Sequence, residues 1–283
     1  DRLRSRGLGD VYKRQGIYMM NDNEIIRDFF MSRLERDGKS EALLDYTTGI
    51  RYYYQDFDVR SRKFANFLTD KAKIKKGDRV AICAGNCVQH IDMFYAIVRT
   101  GYIMTSYNVK LTERELSELI LKENPSVVLY EEEFGEKAAA LKKRFPEVAF
   151  ISTGNKKQEG DLACYQEVLE YSDEDRSLPD HQFEDIAMLV HTGGTTGIPK
   201  AAMISYRALY YNVINQVTAY GVNNRDVVYV CLPLFHAAAW NSLLMPLLYV
   251  GARMVMTRKF DKKDVFQICL LYTSPSPRDR SLS

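Results

Sequence analysis

Short apolar segments alternate with segments of helical periodicity between residues 55 and 152, and this order constrains the fold more than any other feature. The apolar segments are continuous and lack the alternating polar residues of a half-exposed sheet, so both faces of their sheet are expected to be buried. The predicted strands cover residues 79–84, 102–106, 127–130 and 148–152. The sequence therefore predicts an α/β fold of layered βαβ units, with a largely parallel sheet and helices on both faces.

Helices are predicted between these strands, at residues 55–73, 88–99 and 133–145 and from Thr112 to about Asn124. Thr112 is expected to be the N-cap of its helix, because Glu115 three residues later completes a capping box. Residues 154–184 are polar and irregular, and we expect them to form a surface excursion between two sub-domains. The following segments predict strands at 186–191, 201–205 and 226–231, a helix at 206–220 and a buried core helix within 237–250.

Composition excludes several classes of function. The net charge of +2 argues against a nucleic-acid-binding protein, which usually concentrates basic residues on one surface. Five irregularly spaced cysteines do not indicate a disulfide framework, and they fit a cytoplasmic protein. Cys83 and Cys87 could be half of a metal site, but no second pair with matching spacing follows, so no metal ligands are predicted. The longest apolar run is too short to predict a transmembrane helix.

Both ends of the chain differ in character from the rest. Residues 1–15 and 271–283 lack hydrophobic periodicity and are rich in Arg, Ser or Pro. We expect them to be a non-native leader and tail, with disordered native tails as the alternative. The remainder is expected to divide into an N-terminal α/β sub-domain at 16–184 and an incomplete second α/β sub-domain at 185–270.

A glycine- and threonine-rich segment follows the strand that ends at His191. It reads TGGTTGIPK, from Thr192 to Lys200. Its glycines leave backbone N–H groups free to point at an anion. Its threonines add hydroxyl donors, and its lysine adds a compact positive charge that can meet phosphate oxygens. The segment therefore predicts a polyphosphate-binding loop. The predicted binding residues are Thr192, Gly193, Gly194, Thr195, Thr196, Gly197 and Lys200.

Two common nucleotide-binding motifs do not fit this segment. A Walker-type P-loop requires Gly before the lysine and Ser or Thr after it, whereas Pro199 and Ala201 occupy those positions here. The dinucleotide-binding fingerprint requires a different glycine spacing. A Walker-type kinase or ATPase is therefore disfavoured. A glycine-rich turn with a solvated lysine remains the alternative without function.

The segment HTGGTTGIPKAAMIS resembles the phosphate-loop signature of the adenylate-forming superfamily, which includes acyl- and aryl-CoA synthetases. It departs from the usual pattern at His191, where an aromatic residue is common, and at Ala201, where Gly is common. Two upstream segments, IKKGDRVAI from Ile74 and GYIMTSYNVKLT from Gly101, are similar to structural segments of the same family, with Val109 where proline is usual. The similarity spans residues 40 to 270.

A further resemblance lies in LPLFH, which ends at His236. In the family, the histidine and its neighbours line the wall between the acyl pocket and the nucleotide, so His236 is the candidate catalytic residue. The alternative is a histidine that caps the next helix or packs in the core. The apolar run after Ala237 suits a fatty or aryl acid, and it lacks the aspartate that peptide-synthetase domains use to bind an amine.

The resemblance implies a two-step reaction with ATP, Mg²⁺ and CoA. A carboxylate attacks the α-phosphate of ATP to give an acyl-adenylate and pyrophosphate, and the CoA thiol then attacks the adenylate. It leaves open which acid is used and whether the thiol belongs to CoA or to a carrier protein. The family's adenine, ribose and catalytic-lysine segments and its small C-terminal domain are not found before Leu270, so the chain as written is expected to be inactive. A non-catalytic nucleotide- or acyl-binding module is the alternative.

Overall fold

Two β-sheets organise residues 20–192 and 200–272, the parts of the chain that the computed structural model describes. The strands are β1 Glu41–Asp45, β2 Ile50–Tyr53, β3 Arg79–Cys83, β4 Ile103–Ser106, β5 Val127–Tyr130, β6 Ala149–Ser152, β7 Ala163–Cys164, β8 Ile186–Thr192, β9 Lys200–Ser205, β10 Val227–Val230 and β11 Arg253–Met256. The helices are α1 Asp22–Arg36, α2 Tyr54–Asp70, α3 Gln89–Thr100, α4 Glu113–Glu123, α5 Gly135–Arg144, α6 Tyr165–Leu169, α7 Tyr206–Tyr220, α8 Met245–Val250 and α9 Lys262–Tyr272. Glu132–Phe134 forms a 3₁₀ turn and Ala239–Leu244 a π-helix.

The larger sheet confirms the predicted α/β class. Its seven strands lie in the order β7-β6-β5-β3-β4-β8-β9, all parallel except β9, which is antiparallel to β8. The predicted capping box is present at the start of α4, where Thr112 and Glu115 each bind the other's backbone N–H. Parallel strands end at a common edge, so the segments that follow β3, β4, β5 and β8 meet at the carboxyl edge of this sheet.

The smaller sheet combines strands that are far apart in sequence, in the order β10-β11-β1-β2. Neither β1 nor β2 was predicted from the sequence. Leu43 of β1 pairs with Met254 of β11 in parallel, and β2 completes a hairpin with β1. Both sheets therefore take strands from either side of residue 184, because β8 pairs with β4 in the larger sheet. The division into sub-domains at 184 stays a prediction.

Residues 154–184 are more ordered than the predicted surface excursion. They contain β7 and α6, whose Tyr165 and Val168 are buried. The buried Asp161 carboxylate holds the start of this segment, because it accepts a hydrogen bond from the Tyr130 hydroxyl at 2.8 Å and forms an ion pair with Lys142 at 2.5 Å. The expectation of an irregular surface segment is therefore wrong for β7 and α6, whereas Lys156, Lys157 and Asp173, whose charges suggested it, are exposed.

Helix α3 lies within the core that joins the two sheets, and nine of its twelve residues are buried. Three of those nine are ionisable, namely His90, Asp92 and Tyr95. Asp92 receives hydrogen bonds from Arg60 of α2 and Tyr165 of α6, whereas His90 contacts the thiol of Cys87.

The helix predicted within residues 237–250 is present and largely buried, as expected, but its first part is a π-helix. Pro246 lacks the N–H that an α-helix would bond to the Ser242 carbonyl.

Candidate functional site

The two ends of the glycine-rich segment lie opposite each other at the carboxyl edge of the larger sheet. Thr192 is the last residue of β8 and Lys200 the first residue of β9, and they are partners in the antiparallel register. Such partners lie about 5 Å apart between Cα atoms. Lys200 is exposed. Gly193, Gly194, Thr195, Thr196 and Gly197 fall outside the described residues.

This position suits the predicted phosphate chemistry. In open α/β sheets, ligands bind beyond the carboxyl ends of parallel strands. The hairpin places the beginning of the motif and its lysine charge at that edge, close to the parallel neighbour β4. A phosphate bound here can meet a compact ammonium group from the β9 side.

His191 anchors the end of β8, immediately before the motif. Its Nε2 lies 2.6 Å from the Glu123 carboxylate of α4, and its Nδ1 lies 3.2 Å from the Ser106 carbonyl of β4. The Thr105 hydroxyl donates to the other Glu123 oxygen at 3.2 Å. The side chains of His191 and Glu123 are 11% and 5% exposed. In the sequence, His191 stands out only because it replaces the usual aromatic residue, and no sequence signal links it to Glu123, 68 residues away.

His236 lies in the segment that follows β10, a strand of the smaller sheet. Its side chain is exposed and its ring centroid lies 4.6 Å from that of Phe235. Its backbone N–H donates to the Pro233 carbonyl, and its carbonyl accepts from Ala239 at the start of the π-helix. The buried Trp240 indole donates to the Leu234 carbonyl at 2.7 Å, which fixes the turn that carries His236.

Asn86 joins the carboxyl edges of the two sheets. It follows β3, and its buried amide donates to the carbonyls of Leu232 and Thr257, which follow β10 and β11. Its carbonyl oxygen accepts the Leu234 N–H at 2.9 Å. No sequence pattern marked Asn86 as a site residue. Its three backbone bonds bring the segment before His236 to the edge where β3 ends.

A second link between the same edges is ionic. Glu131, which follows β5, is buried, binds the backbone N–H of Gly85 and forms an ion pair with Arg258, which follows β11. Asn86 and Glu131 therefore add polar links between the same two edges to the apolar core that joins the sheets.

Asn86→Ala is expected to lower the free energy of unfolding by about 2–3 kcal/mol, since it leaves the buried Leu234 N–H and the carbonyls of Leu232 and Thr257 without this partner. The measurement is urea unfolding followed by the fluorescence of Trp240. Asn223→Ala, at an exposed loop asparagine, is the control and should cost less than about 1 kcal/mol. Equal costs for the two variants would contradict the assigned role of Asn86.

The described residues contain neither a cluster of metal-binding side chains nor a helix that could span a membrane. Within 20–192 and 200–272, no group of three or more His, Cys, Asp or Glu side chains is placed to hold a metal ion. Within the same ranges, no helix has the length and apolar character needed to cross a membrane.

Comparison with known proteins identifies the family. The family profile described as AMP-binding enzyme matches residues 30–274, which is most of the chain. The chain belongs to the AMP-binding enzyme family. Among curated relatives, 4-coumarate–CoA ligase 3 of Oryza sativa subsp. japonica is 30% identical to this chain over 247 residues. The matched region covers 85% of this chain and 43% of that protein. The chain is 26% identical over 251 residues to a medium-chain-fatty-acid–CoA ligase of Ectopseudomonas oleovorans, covering 84% and 45%.

Solved structures of AMP-binding enzymes share the fold described above. The ATP-bound MatB structure from Rhodopseudomonas palustris gives a TM-score of 0.77 at 23% identity. The anthranilate CoA ligase AuaEII in complex with anthranoyl-AMP gives a TM-score of 0.78 at 19% identity. Each covers 89% of this chain, and this chain covers 48% of each. The chain thus spans about half the length of the family members it matches, and it corresponds in fold to that part of them.

Proposed function

We propose that this chain supplies the ATP-phosphate-binding part of an acid–thiol ligase. The complete enzyme would convert a carboxylic acid to an acyl-adenylate with release of pyrophosphate and then transfer the acyl group to the thiol of CoA. The observation that carries the proposal is the pairing of Thr192 with Lys200 at the carboxyl edge of a parallel sheet, in a member of the AMP-binding enzyme family. Binding and positioning of the phosphates would supply much of the catalytic effect.

The proposed roles follow the two ends of the hairpin. Residues 192–197 would donate hydrogen bonds to the β- and γ-phosphates, and Lys200 would neutralise part of their charge. Mg²⁺ would enter with ATP and would offset part of the negative charge of the phosphates. His236, exposed after β10, would line the wall between acid and nucleotide. The exposed position leaves this side chain free to contact a bound acid, and Trp240 and Asn86 hold the turn beneath it.

A fatty or aryl acid is the proposed substrate class. The relatives named above act, by their names, on 4-coumarate and on medium-chain fatty acids. In this chain, His236 is followed by Ala237 and Ala238, which offer no carboxylate for a substrate amine. A cytoplasmic location is part of the proposal, because all five cysteines are free thiols.

Lys200→Ala is expected to weaken Mg·ATP binding by the 283-residue chain by about 10- to 100-fold, the range for losing one charge-assisted hydrogen bond. The measurement is calorimetric titration of the chain with Mg·ATP. Lys39→Ala, at an exposed lysine before β1, is the matched control and should leave the affinity within about twofold.

Product analysis separates the proposal from its rivals. ATP–pyrophosphate exchange is the reaction expected of the complete enzyme, and we propose that the chain alone binds ATP without turning it over. Release of ADP would identify a kinase or ATPase. An affinity that is equal in the Lys200→Ala and Lys39→Ala variants would contradict the proposed phosphate site.

A further inference from the structure

A cavity lies at the amino edge of the larger sheet, opposite the edge that carries Thr192 and Lys200. Its volume is about 290 Å³, and its lining comes from α2, the end of α3, the segment before β3 and residues 174–179. The five residues of β3 separate the two edges by roughly 15 Å, at about 3.3 Å per residue. An anion in this cavity is therefore distinct from one that the glycine-rich segment binds.

The lining of the cavity is strongly cationic. It contains one carboxylate, that of Glu174, whose side chain is 67% exposed, and five cationic side chains, namely Arg62, Lys75, Lys76, Arg99 and Arg176. Lys76 and Arg176 have carboxylate partners beyond the lining, Asp185 at 2.6 Å and Asp70 at 2.8 Å. The charge that is least balanced therefore lies on the two arginines that α2 and α3 contribute.

Arg62 of α2 and Arg99 of α3 share one carboxylate. Asp58 lies 2.9 Å from a nitrogen of Arg62 and 2.5 Å from a nitrogen of Arg99. Nη1 of Arg99 lies 3.7 Å from the Asp175 carboxylate, which is too long for a hydrogen bond. Nε of Arg62 is buried and has no hydrogen-bond partner among the described residues. The two guanidiniums thus keep donors that Asp58 does not satisfy.

The pKa of Arg99 reports the same excess of positive charge. Burial lowers this pKa below its ordinary value, the Asp58 carboxylate opposes the shift, and the charge of Arg62 adds to it. The Arg99 side chain is 6% exposed, so water compensates its charge poorly. A bound anion would relieve the repulsion, and guanidinium groups match the oxygens of a phosphate especially well.

The walls of the cavity are held in place by buried polar contacts. The buried Asn66 amide donates to the carbonyls of Ser172 and Glu174 at 3.0 and 2.9 Å, which fixes the segment that leads into residues 174–179. The Arg99 Nε donates to the buried Ser61 hydroxyl at 3.0 Å. The guanidinium of Arg99 is therefore positioned before any ligand arrives, which lowers the ordering cost of binding.

We infer that this cavity binds a phosphate group, either the free ion or the phosphate of a small metabolite, through the guanidiniums of Arg62 and Arg99. Lys75, which is exposed, adds positive charge at the surface of the site. The volume lies near the lower limit of small-molecule sites, about 300 Å³, and suits a phosphate or a small phosphate ester better than a whole nucleotide. The inference stands apart from the proposed function, which places ATP at the other edge of the sheet.

Inorganic phosphate is the probe for this site. Sodium phosphate replaces sodium chloride at constant ionic strength, and the thermal midpoint of the 283-residue chain is measured at each concentration. The concentration dependence gives the dissociation constant, because a ligand of the folded chain raises the midpoint by mass action. We expect saturation with a constant of about 1 mM, the affinity of two or three charge-assisted hydrogen bonds. A midpoint that still rises linearly at about 20 mM, as general exclusion of phosphate from the surface would give, would overturn the inference.

Three variants locate the effect. Arg62→Gln removes one guanidinium charge and should raise the phosphate constant at least about tenfold. Arg114→Gln is the matched control, because Arg114 also forms an i,i+4 ion pair, with Glu118, but lies outside the lining, and its constant should stay within about twofold. Lys75→Ala, at an exposed residue, should raise the constant about threefold and tests the site even if Arg62→Gln does not fold. Wild-type constants in both Arg62→Gln and Lys75→Ala would overturn the inference.

Lys200→Ala separates the cavity from the proposed ATP site. The phosphate constant should stay within about twofold in this variant, and the Mg·ATP affinity of Arg62→Gln should also stay within about twofold, because the two sites are far apart. A phosphate effect that is lost in Lys200→Ala and kept in Arg62→Gln would overturn the inference and support the ATP site. Phosphate binding that depends on Arg62, in a chain that does not bind Mg·ATP, would contradict the proposed function alone.

Glycerol 3-phosphate, tested in the same series, identifies the source of the phosphate group. A constant smaller than that of inorganic phosphate, and sensitive to Arg62→Gln, would assign the site to a phosphorylated metabolite. A larger constant would assign it to the free ion. Both results support the inference, whereas binding of neither compound would overturn it.

Discussion

Asp92→Ala is expected to lower the free energy of unfolding by about 3–5 kcal/mol, because it leaves the Arg60 guanidinium buried without a counter-charge. The Asp92 side chain is fully buried, and it accepts a bidentate pair of bonds from Arg60 at 2.9 and 2.7 Å and a third from Tyr165 at 2.7 Å. Burial lowers the pKa of Arg60, but the Asp92 carboxylate more than offsets this, so the pKa lies above its ordinary value.

The expected loss is large because three elements depend on one carboxylate. Arg60 belongs to α2, Asp92 to α3 and Tyr165 to α6, and the guanidinium also lies over the rings of Tyr52 and Tyr165, at 5.2 and 5.8 Å. Removing the carboxylate leaves the guanidinium and the phenol without their shared acceptor. The measurement is urea unfolding of the chain, followed by circular dichroism and by the fluorescence of Trp240, the single tryptophan.

An exposed ion pair provides the matched control. Asp28 and Arg36 lie 3.0 Å apart, but their side chains are 51% and 65% exposed, so Asp28→Ala should cost less than about 1 kcal/mol. A triple variant, Asp92→Leu with Arg60→Met and Tyr165→Phe, should recover most of the lost stability, because it buries no unpaired polar group. A cost below about 1 kcal/mol for Asp92→Ala would show that water or a rearranged partner compensates Arg60.

Acidification is expected to destabilise the chain through His90. This side chain is fully buried in α3, where burial lowers its pKa to about 3 although contact with Cys87 opposes the shift. Cys87 Sγ lies 3.3 Å from His90 Nδ1, and burial raises the pKa of this thiol to about 12, so the thiol donates and the ring accepts. His90 Nε2 then carries hydrogen and has no hydrogen-bond partner among the described residues.

The sign of the pH effect follows from the two pKa values. Below about pH 6.5 the unfolded state binds a proton at His90, whereas the folded state does not do so until about pH 3. The free energy of unfolding therefore falls as the pH drops through this window, by up to about 5 kcal/mol. The pKa of His181 is also lowered by burial and contributes in the same direction.

His90→Leu is expected to remove most of this acid sensitivity. At about pH 4.5 the variant should be more stable than the wild type by about 2–3 kcal/mol, while at about pH 7.5 the difference should be small. Urea unfolding at a series of pH values measures both. His236→Ala, which removes an exposed histidine, should follow the wild-type curve. Parallel curves for His90→Leu and the wild type would contradict the role assigned to His90.

Elements stabilised by local contacts were predicted well from the sequence. The bounds of β5 and α7 coincide with the predicted residues 127–130 and 206–220, and the capping box of α4 is present as predicted. These elements carry their own signals, namely a continuous apolar run, a helical period or a cap. The placement of the phosphate motif at the end of a parallel strand also followed from such signals.

Elements stabilised by distant partners were not predicted. β1 and β2 form a sheet with β10 and β11, and no local pattern in residues 41–53 indicates a partner near residue 254. The same reason applies to the site. No sequence pattern linked His191 to Glu123 or marked Asn86 as a site residue, because their roles depend on contacts between elements that only the folded chain brings together. The roles of His236 and of residues 192–197 stay predictions.

The parallel pairing of β1 with β11 has a consequence for biosynthesis. Leu43 and Leu44 leave the ribosome roughly 200 residues before Met254 and Val255, their partners in the register. At ordinary synthesis rates of about 5–20 residues per second, the β1–β2 hairpin waits about 10–40 s with one backbone edge unpaired. An open edge beside two leucines is a template for another chain. Nascent copies of this protein are therefore expected to need protection, by a chaperone or by slow initiation, until β11 emerges.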